Sequence, residues 1–341
     1  MKSLDIYGTL GPSLHTQDAL YEMLCMGMNG VRLNLSHVDL TDCEEWLYAY
    51  QKAQEQAGVQ AKLLIDMKGP ELRVGRLREP VLLEERQTVE LGKDIPIPVE
   101  LLAHTAVQQR LLLDDGRILL EVKQVREDAL LCTVLHGGVL KSGKSLALVN
   151  GHIELPTLTE SDIRNLKAAR QYGVTGIMQP FVRNAQDLIT VKETLKSIGN
   201  PDLQVYAKIE NMEGVAHLKE LFPYCDQIVI ARGDLGNAMP LWELPAVQKR
   251  IQDICRVHSM PYMVVTQMLD SMMEHPVPTR AEVSDIFHAV YHGASSIMLT
   301  GETAAGKYPR EAMKYFSETA KSALVCREEA VSYTHLRAHE T

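Results

Sequence analysis

The stretch Q-V-Y-A-K-I-E-N-M-E-G-V-A-H-L-K-E-L-F-P-Y-C-D-Q-I-V-I-A-R-G-D (204–234) decides the fold. It opens on a short apolar run, Gln204–Ile209, passes through an amphipathic segment, Met212–Leu221, and closes on a second apolar run, Asp226–Ala231. Short β-branched runs separated by a helix-length amphipathic segment are the pattern of neighbouring parallel strands joined by a helix. Each run also ends on charge: Lys208 and Glu210 after the first, Arg232 and Asp234 after the second.

The same alternation extends in both directions. Further strands are predicted at Leu4–Leu10, Gly30–Leu35, Lys62–Asp66, Gly176–Met178, Tyr262–Thr266 and Ser296–Thr300. Helices are predicted at Thr16–Met26, Asp39–Gln56, Glu160–Tyr172, Asn184–Ser197, Leu244–His258, Thr279–His292 and Pro309–Cys326, with Thr16, Asp39, Thr159 and Asn184 as N-caps. Eight strands alternating with eight helices argue for an α/β fold of the (β/α)8 TIM-barrel type rather than an open sheet.

One gap breaks the rhythm. Residues 71–154 carry period-two patterns such as Thr88-Val89-Glu90-Leu91, Ile118–Val125 and Leu130–Leu135, with tight turns expected at Asp115-Gly116 and Gly137-Gly138. They read as a small all-β domain inserted after the third strand, which places it on the C-terminal face where barrel enzymes carry their sites and suits it to act as a lid. The barrel is then assigned to residues 1–70 plus 155–330. Val331–Thr341 reads as a translated sequencing adapter rather than evolved protein, so His335 and His339 are set aside.

Composition narrows the function classes. The net charge of −9 argues against general affinity for nucleic acid or anionic membrane, and an anionic substrate would need local cations or metal ions. The six cysteines form no C-x-x-C pair and read as reduced thiols of a cytoplasmic protein. No apolar run is long enough to span a bilayer and no signal peptide is visible.

If the barrel reading holds, the strand ends gather Arg32, Asn34, Ser36, His37, Asp66, Lys68, Lys208, Glu210, Arg232, Asp234, Thr266 and Glu302 at one rim. Glu210 and Asp234, from neighbouring strands, suit a hard divalent cation, which takes one or two carboxylates and completes its shell with water and substrate oxygens. Lys208 and Arg32 beside that ion would make a clamp for a transferring phosphoryl group. Asn34, Ser36 and Asp66 suit a larger monovalent cation. The backbone of Arg232-Gly233-Asp234 suits a substrate carboxylate.

The motifs M-N-G-V-R-L-N-L-S-H (28–37), D-M-K-G-P-E-L-R (66–73), A-K-I-E-N (207–211), I-A-R-G-D-L-G (230–236), T-Q-M-L-D-S-M (266–272), P-T-R-A-E-V-S-D (278–285) and I-M-L-T-G-E-T-A (297–304) resemble the pyruvate kinase family, in its order, over nearly all of residues 1–325. The resemblance implies glycolytic phosphoryl transfer from phosphoenolpyruvate to ADP, giving pyruvate and ATP. It implies Lys208, Arg32 and Thr266 as catalytic residues, Glu210 and Asp234 as Mg2+ (or Mn2+) ligands, and Asn34, Ser36, Asp66 and the Met67 carbonyl as K+ ligands. Ala231, Arg232, Gly233, Asp234 and Thr266 are implied for substrate, and Pro12, Arg32, His37 and Lys144 for the nucleotide. Glu71, after K-G-P, implies potassium dependence. The family's usual C-terminal domain is not found, and a homo-oligomer is left open.

The departures lie mostly in the outer site. Met67 replaces the family's usual threonine, Pro180 a serine, Asn237-Ala238-Met239 the usual V-E-I, and Phe287-His288 the usual A-N. Lys144–Asn150 is a poor version of K-G-V-N-L-P-G. Two other readings stay open on sequence: a Mg-dependent 2-oxo acid lyase or decarboxylase on the same barrel, and a non-catalytic phosphoenolpyruvate-binding sensor.

Overall fold

The computed structural model describes residues 4–36, 38–69, 72–114, 116–149 and 155–338, with side chains through 330. It divides into two compact units. One comprises residues up to Gly69, Thr157–Leu235 and the chain from Trp242 onward. The other comprises Pro70–Pro156 with Gly236–Leu241.

The first unit is a closed parallel barrel. Its strands are β1 (Asp5–Thr9), β2 (Gly30–Asn34), β3 (Lys62–Asp66), β4 (Gly176–Gln179), β5 (Gln204–Ile209), β6 (Gln227–Ala231), β7 (Tyr262–Val265) and β8 (Ser296–Met298). Each pairs in parallel with its chain neighbours, and β1 closes on β8 through Asp5↔Ser296 and Tyr7↔Met298. Strands buried on both faces explain why the sequence shows continuous apolar runs rather than alternation. β6 and β7 are buried at every position.

Inside the barrel, Tyr7, Leu64, Met178, Tyr206, Val229, Met263 and Met298 form one buried cluster. The Tyr7 and Tyr206 hydroxyls meet at 3.4 Å, so the two polar tips in this packed interior satisfy each other. The space for Tyr7 is supplied by Gly30, where a Cβ would overlap the tyrosine ring.

The surrounding helices start where their caps predict. Thr16 accepts from the Ala19 N–H, Asn184 from Gln186, and Thr159 from Asp162 in a reciprocal capping box. Asp39 instead precedes a 3-10 turn, Leu40–Cys43, and the α-helix begins at Glu44. The segment predicted as one helix from Met212 to Leu221 breaks at His217. The last helix runs from Pro309 to Ala338, through the segment read as adapter.

The second unit is mainly antiparallel. A five-stranded sheet runs in the order Leu146–Leu148, Arg110–Leu113, Ile118–Val125, Leu130–His136, Thr88–Leu91, beside a pair formed by Val81–Leu83 and Gly138–Leu140. It has its own buried core, including Leu91, Leu111, Leu113, Leu120, Leu130 and Val134. Gly137-Gly138 is not a hairpin turn: the chain leaves the larger sheet at His136 and pairs at once with Val81–Leu83. A short helix, Val99–His104, was not anticipated.

Because the Tyr7 ring occupies the place of a side chain on β2, Gly30→Ala forces a shift of packed backbone. The variant is expected to lose about 1–3 kcal/mol or more of stability, read as a lowered urea midpoint at unchanged slope.

Candidate active site

The site begins with the strand ends. Asp66 closes β3, Arg32 lies on β2 and Lys208 on β5. Asp66 is 2% exposed and Glu210, just past β5, is 3% exposed. Arg32 donates to Asp66 Oδ2 through Nε at 2.9 Å and Nη2 at 2.7 Å. Lys208 Nζ lies 3.1 Å from both Asp66 oxygens and 3.0 Å from Glu210 Oε1. Burial alone would drive Asp66 toward its neutral form, but the charges of Lys208 and Arg32 outweigh it and hold its pKa below the usual carboxylate range. Burial likewise works against the Lys208 ammonium, and Asp66 and Glu210 overcome it, so its pKa is raised.

Glu210 behaves differently. Burial, with the charges of Asp234 and Asp66 behind it, outweighs the attraction of Lys208 and pushes its pKa up to about 7. Lys208 is the cation that acts on Glu210, and the charges of Asp234 and Asp66 act against it. Glu210 is therefore the group left short of positive charge, and a divalent cation between Glu210 and Asp234 would supply it. Among the described residues no group of three or more His, Cys, Asp or Glu forms a closed metal cage. Two carboxylates with room for water and substrate oxygens fit magnesium or manganese better than a structural metal.

Glu210 is also held from behind. Its Oε2 accepts the Phe181 N–H at 2.7 Å, and Phe181 sits at φ +52°, a left-handed conformation that is rare for a bulky residue. Sequence reading did not find this contact; the only signal was Pro180 in place of a serine.

Asn34 stands opposite Asp66 in the β2–β3 register, and its Oδ1 accepts the Ser36 N–H at 3.2 Å. Met67 follows directly, its side chain buried and its N–H donated to the Met178 carbonyl. The structure thus brings Asn34, Ser36, Asp66 and Met67 to one corner of the rim, and their neutral oxygens and one carboxylate suit potassium. His37 and Glu71 lie outside the described residues.

Thr266, one residue past β7, has φ +76°, and Gln267 follows at +54°. Arg232 fixes this bend. Its Nη2 donates to the Thr266 carbonyl at 2.7 Å and its Nε at 3.2 Å, while Nη1 pairs with Asp285 at 2.6 Å. The Arg232 side chain is thereby committed to the loop, which leaves only its backbone for a substrate. A Cβ at Gly233 would lie 3.1 Å from Thr266 Cγ2, so the Ala231–Gly233 backbone and Thr266 are immediate neighbours.

These bonds explain the P-T-R-A-E-V-S-D motif as scaffold. Thr279 caps the helix Arg280–Tyr291, Glu282 accepts from the Ser271 N–H and hydroxyl, and Asp285 holds Arg232.

Pro12 is exposed in the turn after β1, and the Leu10 N–H reaches the Arg32 carbonyl at 2.9 Å. Lys144 lies in the other unit. There it pairs with Asp114 Oδ1 at 2.6 Å and, with Arg117 and Lys141, lines a cavity of about 320 Å³. Among its described lining residues, Arg117, Lys141 and Lys144 stand against one carboxylate, Asp114.

Fold and rim together define a class: a (β/α)8 barrel whose C-terminal mouth carries a buried lysine, an arginine and carboxylates suited to a hard cation. A family model for the pyruvate kinase barrel domain matches residues 1–313. A pyruvate kinase of Geobacillus stearothermophilus is 38% identical over 324 residues, covering 92% of this chain and 55% of that protein. Pyruvate kinases of Mycobacterium intracellulare and Clostridium perfringens are 36% and 34% identical, covering 67% and 70% of their own lengths. The chain belongs to the pyruvate kinase family. It spans just over half the length of the Geobacillus relative.

The raised Glu210 pKa gives a pH test. A carboxyl whose folded pKa is about 7 against an ordinary 4.5 binds its proton more tightly when folded. Its contribution to stability is complete below the lower value and is lost as pH rises through the upper one. With chelator present, the melting temperature is expected to fall between about pH 5 and pH 7.5, and Glu210→Gln to flatten that slope. Saturating magnesium or manganese should restore stability at the higher pH, since a ligand that binds only the folded state stabilises it. A metal-independent profile identical in the variant would remove Glu210 from the metal site.

Proposed function

We propose that this chain transfers the phosphoryl group of phosphoenolpyruvate to ADP, giving pyruvate and ATP. The observation that carries the proposal is the Lys208 ammonium, buried between Asp66 and Glu210 beside Arg32. This arrangement is a fixed cationic clamp next to a carboxylate, Glu210, that is short of positive charge.

In this reading Glu210 and Asp234 hold Mg2+ or Mn2+, which neutralises phosphoryl oxygens when bound. Lys208 and Arg32 hold the phosphoryl oxygens, and Lys208 stabilises the charge that develops as the bond to the enolate oxygen breaks. The Ala231–Arg232–Gly233 backbone orients the substrate carboxylate, with Asp234 beside it. The Thr266 hydroxyl, held by the Arg232 strap, faces the enolate carbon where the proton is delivered. Pro12, Arg32, His37 and Lys144 receive the nucleotide, and Asn34, Ser36, Asp66 and the Met67 carbonyl hold K+.

We infer action in the cytoplasm. All six cysteines are unpaired, and no helix among the described residues is long and apolar enough to cross a membrane.

The direct test is pyruvate release from phosphoenolpyruvate and ADP, coupled to NADH oxidation by lactate dehydrogenase. Absence of ADP-dependent pyruvate would defeat the proposal. Lys208→Met is expected to lower turnover about a hundredfold or more while leaving the KM for phosphoenolpyruvate within a few-fold. A variant with near-wild-type turnover would take the clamp role away from Lys208.

The monovalent site is tested separately. At equal ionic strength, replacing tetramethylammonium by potassium is expected to raise the rate about severalfold or more, because the ion offsets carboxylate charge beside an anionic substrate. Equal rates in the two salts would show that these oxygens hold no functional cation.

A further inference from the structure

Asp162 is a fully buried carboxylate with no cation against it among its hydrogen-bond partners. It sits at the third position of the helix Glu160–Ala168, where a capping-box residue normally reaches back only to the N-cap. It does so here, its Oδ2 accepting the Thr159 N–H at 2.8 Å and hydroxyl at 2.7 Å. It also accepts two amides from 93 and 94 residues earlier in the chain: Lys68 N–H on Oδ1 at 2.8 Å and Gly69 N–H on Oδ2 at 3.1 Å.

Capping alone does not call for this. The Thr159 hydroxyl already accepts from the residue 162 N–H, and a neutral side chain could complete the box. A buried charge costs several kcal/mol unless its lone pairs are taken up. These bonds use acceptance on both oxygens, which a neutral amide cannot provide.

The two bonded segments are the ends of the chain crossings. Lys68-Gly69 ends the barrel unit before the insertion, and Thr157–Thr159 resumes it. Gly69 is gripped from its other side as well: it has φ +61°, and a Cβ there would overlap the Pro180 ring. On the return, Thr157 donates its hydroxyl to Asp187 at 2.7 Å and receives the Gln179 side-chain amide on its carbonyl at 2.9 Å. Asp187 is itself buried and held by Arg183. The division between the compact units falls at Gly69/Pro70 and at Pro156/Thr157, next to these bonds.

We propose that Asp162 is a positioning residue that pins both roots of the insertion to the barrel rim. By doing so it fixes the two stretches of barrel backbone through which the chain leaves for the insertion and returns from it. The kinetic part rests on the function proposed above; the pinning itself does not.

The test uses the full chain with Asp162→Asn and Asp162→Ser. Both keep Thr159 as a helix cap, and neither can accept on two oxygens as the carboxylate does. Hydrogen exchange, followed by mass spectrometry on peptides spanning 61–69 and 157–166, is expected to quicken about tenfold or more at Lys68 and Gly69. The KM for ADP should rise about three- to tenfold, with the KM for phosphoenolpyruvate and the melting temperature of the chain little changed. Unchanged exchange at Lys68 and Gly69 would overturn the pinning. Faster exchange with an unchanged KM for ADP would overturn the positioning role, as would a parallel loss of every kinetic constant together with the melting temperature. A wild-type chain that makes no pyruvate would overturn the proposed function and the positioning role together, while exchange still decides the pinning.

Discussion

The Asp66 carboxylate, bonded at once to Arg32 and Lys208, is the contact on which the rest of the mouth depends. It joins β2, β3 and β5 through side chains that would each be expensive to bury alone. Neither the arginine nor the lysine can leave without stranding a buried carboxylate, and Asp66 cannot leave without setting two cations against each other. The cluster is therefore fixed in place before any ligand arrives, which is what electrostatic stabilisation of a transferring group requires. It is also unbalanced: Asp66 is paired with both cations, whereas Glu210 shares Lys208 and faces Asp234. The deficit of positive charge is therefore felt at Glu210.

A second constraint comes from backbone amides. Loops at the rim of a barrel have no strand partner, and their buried N–H groups need acceptors. Here carboxylates take that role repeatedly. Glu210 accepts Phe181, Glu302 accepts Leu269 and Thr300, Glu282 accepts Ser271 and Thr279, and Asp162 accepts Lys68 and Gly69. The bonds to Thr300 and Thr279 cap the carboxylate's own helix, and the others fix a loop distant in sequence. Rigid loops around a shallow mouth give precise placement of side chains without a large apolar pocket.

The barrel was legible because its signal is repeated. Each strand is an apolar run ending in charge, and eight repetitions outvote local ambiguity such as the break at His217. The cation, carboxylate and backbone clusters were legible because strand ends in a parallel barrel share one rim, so chemistry-bearing residues could be grouped without coordinates. What stayed hidden were contacts set by backbone conformation or by distant pairing. Nothing in Q-P-F-V-R announces that Phe181 turns left-handed to reach Glu210, and nothing in S-D shows that Asp285 reaches Arg232. The strand switch at Gly137 was misread as a turn because two glycines carry the same local signature in either setting.

The strained residues show what those hidden contacts are for. Among the described residues of the barrel unit, the non-glycine residues with positive φ are Phe181, Thr266, Gln267 and Ser259, and the first three follow the C-terminal ends of β4 and β7. Such conformations cost about 1–3 kcal/mol each and persist only where the surroundings overdetermine them. Phe181 is held by a charge-assisted bond to Glu210, and Thr266 by two guanidinium bonds from Arg232, itself anchored by Asp285. In both places a charged side chain holds backbone, and that backbone in turn fixes a side chain of the proposed site: the Glu210 carboxylate in one case and the Thr266 side chain in the other. A β-branched residue would relax from φ +76° if its strap were cut, and the hydroxyl would move with it. The backbone at these two rim positions is thus set by charged side chains, Glu210 at one and Arg232 with Asp285 at the other.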